Sequence, residues 1–284
     1  MRETAIIETI RRLNRTKDPQ TGLVVGIGDD CAVWRPRSDW ETIVTTDQVV
    51  EGVHYSLGAS GSLVAARLVG RGLSDIAAMG GEPRVAFLNV AWPRTLKDRW
   101  RTAFLQAFGR EAGRWKVAWA GGDISSTLAR CVASITVIGE VPHGQALLRS
   151  GAHLDDLLYV SGVLGRSSQT IKRITPRLEL GRRLRGIATA CIDLSDGLST
   201  DLHHLCEQSG VGAVVDPSRI PRAGSLDRAL NAGEDYELLF TARPSTRMPP
   251  RLVGLKITCI GRINRGHRVM LGGQPLEPRG WEHR

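Results

Sequence analysis

The sequence predicts a two-domain protein of mixed α/β (α+β) class, with one domain over residues 1–140 and a second over 141–284. Three observations carry this. A chain of 284 residues exceeds the usual size of a single domain. Short β-branched runs alternate with longer segments of helical apolar spacing in both halves. A stretch from Pro142 to Gly151 separates the two series and reads as a hinge.

In chain order, Ile6, Ile10 and Leu13 have helical spacing, and Lys17 to Gly22 is a polar break around Pro19. Leu23–Ile27 and Thr42–Thr46 read as strands, each running out at an aspartate. Residues 62–80 form the strongest helix: Leu63, Ala66, Gly70, Leu73 and Ala77 make one apolar stripe, and Leu68, Gly72 and Met79 a second. A helix apolar on two sides is buried between layers. Asp75 lies in the second stripe, where a carboxylate is costly unless paired or bound to metal, so a cation partner is expected. Val85–Val90 is a strand closed by Trp92-Pro93, Leu96–Ala112 a helix, Val117–Ala120 a short strand ending in Gly121-Gly122-Asp123, and Cys131–Gly139 a further strand. The second half restarts with a strand over Asp156–Ser161, a Gly162 to Gly165 turn, a basic helical segment and a strand over Ala188–Ile192. Leu198, Leu202, Leu205 and Ser209 share one helical face that Gly210 stops. Tyr236–Thr241 and Lys256–Gly261 are the last strands expected.

Composition narrows the function classes. The net charge is +9, densest between Arg166 and Arg185 with Lys172, Arg173, Arg177, Arg182 and Arg183; this reads as a solvated face. Aromatic residues are only 5%, and none interleave with that stretch, so no nucleic-acid partner is expected. The five cysteines never form Cys-x-x-Cys, which disfavours structural zinc and a disulfide framework and points to small buried thiols. Charge at Arg2 and Glu3 argues against a signal segment, and no apolar run approaches a membrane span, so a cytoplasmic location is expected.

Acidic residues gather instead in short phrases: Gly28-Asp29-Asp30, Thr45-Thr46-Asp47 leading to Glu51-Gly52-Val53-His54, Asp75, Gly121-Gly122-Asp123, Asp193-Leu194-Ser195-Asp196-Gly197 and Gly233-Glu234-Asp235. Two carboxylates about 5 Å apart at an effective dielectric of about 20 repel by roughly 3 kcal/mol. A converging set would protonate or recruit divalent cations, and hard oxygen donors with Thr45 and Thr46 suit Mg²⁺, whose shell substrate phosphates complete. Any single aspartate is more simply a turn or cap residue, but Asp47 and Asp75 belong to apolar elements and favour the functional reading. Ser195-Asp196-Gly197 reads as a helix N-cap or as a phosphate or metal site at a helix mouth. Gly121-Gly122 reads as a turn or as a close approach to phosphate. His54 is a surface histidine or a phosphate contact, Arg149 a surface arginine or a phosphate clamp, and Trp281 the cover of a core edge or a ring-stacking residue. There is no P-loop, dinucleotide fingerprint, zincin or nucleophile-elbow motif.

Taken with Leu73-Ser74-Asp75-Ile76-Ala77-Ala78-Met79-Gly80, the run Ala146 to Gly151 and Gly233-Glu234-Asp235-Tyr236-Glu237-Leu238, these phrases closely resemble the thiamine-monophosphate kinase family, within the superfamily of aminoimidazole ribonucleotide synthetase and selenophosphate synthetase. The resemblance implies ATP-dependent phosphorylation of thiamine phosphate to thiamine diphosphate. It implies a homodimer whose N-terminal mixed sheets pair into a shared barrel, with ATP near the cleft between domains. By position, Asp30, Thr45, Thr46, Asp47, Asp75, Asp123, Asp193 and Asp196 would be Mg²⁺ ligands. Gly122, Asp123, Arg149 and Ser195 would contact ATP, and His54, Glu234 and Trp281 would contact thiamine phosphate. The chain departs from the family pattern at Ile124-Ser125-Ser126, in a shorter and more basic Arg166–Ala190 stretch with a trimmed helix, and at His283-Arg284. The rivals are a sister ATP-dependent synthetase, against which His54, Glu234 and Trp281 speak, and a non-catalytic nucleotide- or nucleic-acid-binding protein, against which the retained acidic positions speak.

Overall fold

The computed structural model describes residues 10, 21–27, 31–166 and 173–281. Of the predicted first helix it describes Ile10 alone, and Asp29 and Asp30 lie outside the described residues. The chain divides into two compact units. The first comprises Met1–Ile76, Glu82–Gly144 and Ile171–Thr175; the second comprises Ala77–Gly81, Gln145–Thr170 and Pro176–Arg284. The short exchanged segments have no signal in composition.

In the first unit, β1 (Leu23–Val25) and β2 (Val33–Trp34) form a small antiparallel pair. The main sheet has the order β3 (Trp40–Val50), β6 (Val132–Pro142), β4 (Glu82–Pro93), β5 (Ala118–Thr127). Helices α1 (Gly61–Ala78) and α2 (Asp98–Arg114) belong to the same series. α1 is buried along most of its length, as its two apolar stripes require. Gly72 lets it approach the sheet closely: a Cβ there would lie 3.0 Å from Ile135 and 3.1 Å from Val137 on β6. α2 contributes Phe104 and Phe108, which meet Trp92 of β4 and Trp119 of β5 edge-on at 6.3 and 4.7 Å. On the other sheet face the β1–β2 pair packs over Phe87, Ala118 and Ile138. The β3 part of that face stays open, with Val44 63% exposed.

Two expectations are corrected here. β3 does not end at Asp47: it continues to Val50, and all eleven residues pair in unbroken register with β6. An aspartate is a poor strand residue in isolation, but the pairing and the burial of Val49 outweigh that preference. Gly121-Gly122-Asp123 is likewise no turn; it lies inside β5, which runs on to Thr127. The register slips between Ala86 and Phe87, and Gly122 adopts φ 145°, where a side chain would run into the Leu88 carbonyl.

The second unit is built on a mixed sheet of order β14 (Gln274–Pro275), β13 (Val269–Leu271), β9 (Gly212–Val215), β12 (Leu255–Asn264), β7 (Leu157–Ser161), β10 (Leu238–Ala242), β8 (Ala188–Asp193), with β11 (Arg251–Leu252) on β12. Helices α4 (Leu198–Ser209) and α5 (Leu226–Asn231) contribute Leu198, Leu202, Leu205, Ala229 and Leu230 to one core with Leu158, Val160, Ile192 and Leu239. Helix α3 (Leu178–Leu184) contributes Leu180 and Leu184 to a second core with Tyr159, Cys191 and Phe240. Gly210 ends α4 in the left-handed conformation at φ 66°, as expected. The basic stretch is not wholly a solvated face. Arg173 pairs with Glu111, Arg177 pairs with the buried Glu237, and Arg185 donates to the Gly80 carbonyl, while Arg182 and Arg183 remain exposed. Cys131, Cys191 and Cys206 are buried thiols.

Candidate active site

In the first unit the site grows from two periodicities. Strand side chains two apart share a face, and helix side chains four apart share a face. Thr45 and Asp47 therefore point to one side of β3, and Arg71 and Asp75 to one side of α1. The two faces meet. Thr45 Oγ1 donates to Asp75 Oδ2 at 2.5 Å, and Arg71 Nε donates to Asp47 Oδ1 at 2.9 Å. Arg71 places a cation on Asp47, beside Asp75. Thr46 is not brought to this cluster by its side chain. It lies on the opposite, exposed face, where its hydroxyl donates to the Ile135 carbonyl at 3.2 Å.

His54 sits in the turn after β3. Its Nδ1 accepts from the Val50 amide at 3.1 Å, and its own amide donates to the Val50 carbonyl at 2.9 Å. An Nδ1 that accepts must lack a proton, so the ring is held as the tautomer with Nε2–H as donor. Gly122 and Asp123 lie on β5, the edge opposite β3, three strand spacings or roughly 14 Å along the sheet. The Asp123 amide donates to Asn89 Oδ1 at 2.9 Å.

In the second unit the loop 194–197, between β8 and α4, joins several expected site residues through its backbone. Asp193 is buried at the end of β8. The Ser195 carbonyl accepts from the Glu234 amide at 2.7 Å, and the Asp196 carbonyl accepts from the Trp281 amide at 2.9 Å. Leu194 bonds to both Glu237 and Tyr236 at 2.8 Å. Glu234 and Tyr236 hold φ of 58° and 49°. Such left-handed non-glycine residues cost about 1–3 kcal/mol each and persist where surrounding bonds over-determine them. Trp281 is 49% exposed. Arg149 is exposed, and its carbonyl accepts from Ser209 at 3.0 Å.

The helix mouth is not capped by Ser195 or Asp196, as a plain N-cap reading expects. Gly197 is the N-cap, without a side-chain cap. Asp201, one turn inside α4 and only 2% exposed, reaches back: its Oδ2 accepts from the Asp196 and Gly197 amides at 3.1 and 3.0 Å. Burial first, then the charges of Asp193 and Asp196, pushes its carboxyl up to about 8, against the two amide bonds that lower it. Asp196, Asp201 and His204 place one ligand atom each within 4.8 Å of one another. Sequence reasoning missed Asp201, His204 and Arg71. Asp201 had a signal, since it closes the phrase Asp196-Gly197-Leu198-Ser199-Thr200-Asp201 on the first turn of the helix. Asp235 and Glu237 also had roles not foreseen: Asp235 accepts from the Gly165 and Arg166 amides, and Glu237 from Arg177 and Ser161.

Both clusters fit a hard divalent cation. Thr45, Asp47 and Asp75 offer only oxygen donors, and a guanidinium already rests on one of them as a cation. In the second unit, Asp196, Asp201 and His204 offer two carboxylates and an imidazole within 4.8 Å of one another.

Comparison with known proteins identifies the family. The family model described as AIR synthase related protein, N-terminal domain, matches residues 28–141. A Haemophilus influenzae protein named thiamine-monophosphate kinase is 34% identical over 292 residues, spanning 89% of this chain and 88% of its own. The crystal structure of thiamine-monophosphate kinase from Stenotrophomonas maltophilia K279a superposes with a TM-score of 0.85 at 32% identity, covering 96% of this chain and 98% of that one. A structure of AaThiL complexed with AMPPCP and TMP superposes with a TM-score of 0.80 at 28% identity, covering 100% and 99%. A 34% identity sustained over most of a named kinase and near full-length superposition on a solved one lead to the same conclusion: the chain belongs to the thiamine-monophosphate kinase family.

Proposed function

We propose that this protein transfers the γ-phosphoryl group of ATP directly to the phosphate of thiamine phosphate, giving thiamine diphosphate, with Mg²⁺ as the required cation. The observation that carries the reading is the paired placement of oxygen donors from β3 and α1, in a chain whose solved relative binds AMPPCP and TMP. In this reading Asp30, Thr45, Thr46, Asp47, Asp75, Asp123, Asp193 and Asp196 hold the metal. Bound Mg²⁺ would neutralise the charge shared by donor and acceptor phosphates.

The remaining work falls to this chain's own groups. Donor and acceptor are both anions, so the protein must hold them in line and offset their repulsion. Gly122, Arg149 and Ser195 are assigned to ATP. His54, as an Nε2–H donor, is assigned to the acceptor phosphate, with Glu234 beside the thiamine cation and Trp281 against its ring. The acceptor phosphate is already ionised at neutral pH, so no strong general base is needed, and no covalent enzyme intermediate is invoked. The backbone bonds from Ser195 to Glu234 and from Asp196 to Trp281 support joint positioning of acceptor and donor contacts in the second unit.

The same reading makes the protein a cytoplasmic homodimer whose first-unit sheets pair into a barrel. Its support is the open face of β3, where Val44, at 63% exposure, lies among Thr42, Thr46 and Gln48. No helix among the described residues is long and apolar enough to cross a membrane. The test incubates purified protein with ATP, Mg²⁺ and thiamine phosphate and follows thiamine diphosphate by chromatography. Product formation that stops on chelation is expected; folded protein that forms none with Mg²⁺ or Mn²⁺ refutes the assignment.

A further inference from the structure

The ion pair between Arg71 and Asp47 has no place in the reaction just described. Arg71 projects from α1 one turn before Asp75, and its Nε lies 2.9 Å from Asp47 Oδ1. The pair is shielded, with side chains 15% and 16% exposed. On the same two elements, Thr45 holds Asp75 by its hydroxyl. Asp47 and Asp75 thus each carry a proton-donating partner from the protein itself.

We propose that Arg71 is an internal counter-cation that competes with Mg²⁺ for Asp47 and thereby sets the cation concentration at which this site fills. The proposal rests on the reading of Asp47 as a metal ligand. A guanidinium and a divalent cation cannot share one carboxylate at close range without mutual repulsion, and partial burial weakens solvent screening of that repulsion. Metal entry therefore breaks the Arg71–Asp47 bond or forces Arg71 to turn away. In the metal-free protein the same arginine neutralises a shielded carboxylate that would otherwise repel Asp75. Arg71 acts through Asp47 and is a positioning residue, not a catalytic one.

The test needs no turnover. Mn²⁺ binding is measured by electron paramagnetic resonance on wild type, Arg71→Gln, Arg71→Lys and Asp47→Asn. Removing the competing charge in Arg71→Gln should tighten the class of sites that Asp47→Asn abolishes by about tenfold or more. Arg71→Lys, which keeps the charge, should stay within about threefold of wild type. Arg71→Gln affinity equal to or weaker than wild type overturns the proposal while leaving Asp47 a ligand. Unchanged binding in Asp47→Asn overturns the metal reading itself. Should Arg71→Gln fail to fold, the wild-type protein still decides: the Arg71 Nε–H resonance, identified by its absence in Arg71→Lys, should lose exchange protection on Mg²⁺ addition. A resonance that keeps its position and protection at saturating Mg²⁺ refutes the competition.

Discussion

Replacing Asp201 by alanine tests whether the loop 194–197 is held from within helix α4. One carboxylate oxygen accepts two backbone amides, from Asp196 and Gly197. Alanine leaves both without that acceptor in a largely buried turn, at about 1–3 kcal/mol for each unsatisfied group, so about 2–4 kcal/mol after partial relaxation. That corresponds to a fall in melting temperature of roughly 5–15 °C. The loop also carries the carbonyls that hold the Glu234 and Trp281 amides, so its displacement moves several expected ligand contacts at once. Misplacement by about 1 Å costs on the order of 10²-fold in rate, which is the expected loss in kcat/KM for thiamine phosphate. Asp201→Asn separates geometry from charge, because its amide oxygen accepts the same two N–H groups; it should retain activity within several-fold of wild type. Without metal, burial and the neighbouring Asp193 and Asp196 push the Asp201 carboxyl up from 3.8 to about 8. A raised folded value means the stabilising contribution is complete below about pH 4 and is lost as pH rises through about 8. In chelated buffer, wild type should lose stability across that window and Asp201→Asn should not. Thermal unfolding by circular dichroism and steady-state kinetics decide the matter. Wild-type behaviour in Asp201→Ala, or equal damage in Asp201→Asn, refutes the reasoning.

Asp47→Asn should lower turnover by about 10³-fold or more with an unchanged far-ultraviolet spectrum, and wild-type rates would remove Asp47 from the metal site. Trp281→Ala should raise KM for thiamine phosphate much more than KM for ATP, since its half-exposed ring is assigned to the thiamine moiety; equal changes would mark a structural role. Glu140, 2% exposed, accepts from the Arg37 amide and from the guanidinium groups of Arg37 and Arg84. Burial alone would raise its carboxyl, but those donors outweigh it and hold it below the ordinary 4.5. Its contribution is therefore present above about pH 4.5 and lost as pH falls through the lower folded value. Glu140→Ala should cost about 3–5 kcal/mol at neutral pH and flatten the acid side of the stability profile, as read by urea unfolding at several pH values. Gly122→Ala should yield little folded protein, because φ 145° and the Leu88 carbonyl both oppose a side chain; a normally folded, active variant would contradict the backbone described for β5.

What was legible in the sequence was whatever local periodicity encodes. α1 and α4 were readable because apolar residues recur three and four apart, and α4 stops at Gly210 as a left-handed glycine requires. β9, β11, β13, β14 and α5 were not, because each is too short to show a period and owes its conformation to partners far along the chain. The same division runs through the site. Asp47 and Asp75 were conspicuous because a carboxylate contradicts its apolar element. The Thr46 hydroxyl lies off the Thr45–Asp75 cluster, on the other face of β3, where it donates to the Ile135 carbonyl of β6. Adjacent strand residues alternate, so Thr45 and Thr46 point to opposite faces wherever β3 ends. Any part Thr46 plays at the Thr45–Asp75 cluster then falls to its main-chain carbonyl and not its hydroxyl. Thr46→Val should accordingly leave Mg²⁺ affinity near wild type, whereas Thr45→Val, which removes the hydroxyl on Asp75, should change it severalfold. The reverse ranking, measured by the same Mn²⁺ titration, would show that β3 does not keep this register in the working enzyme.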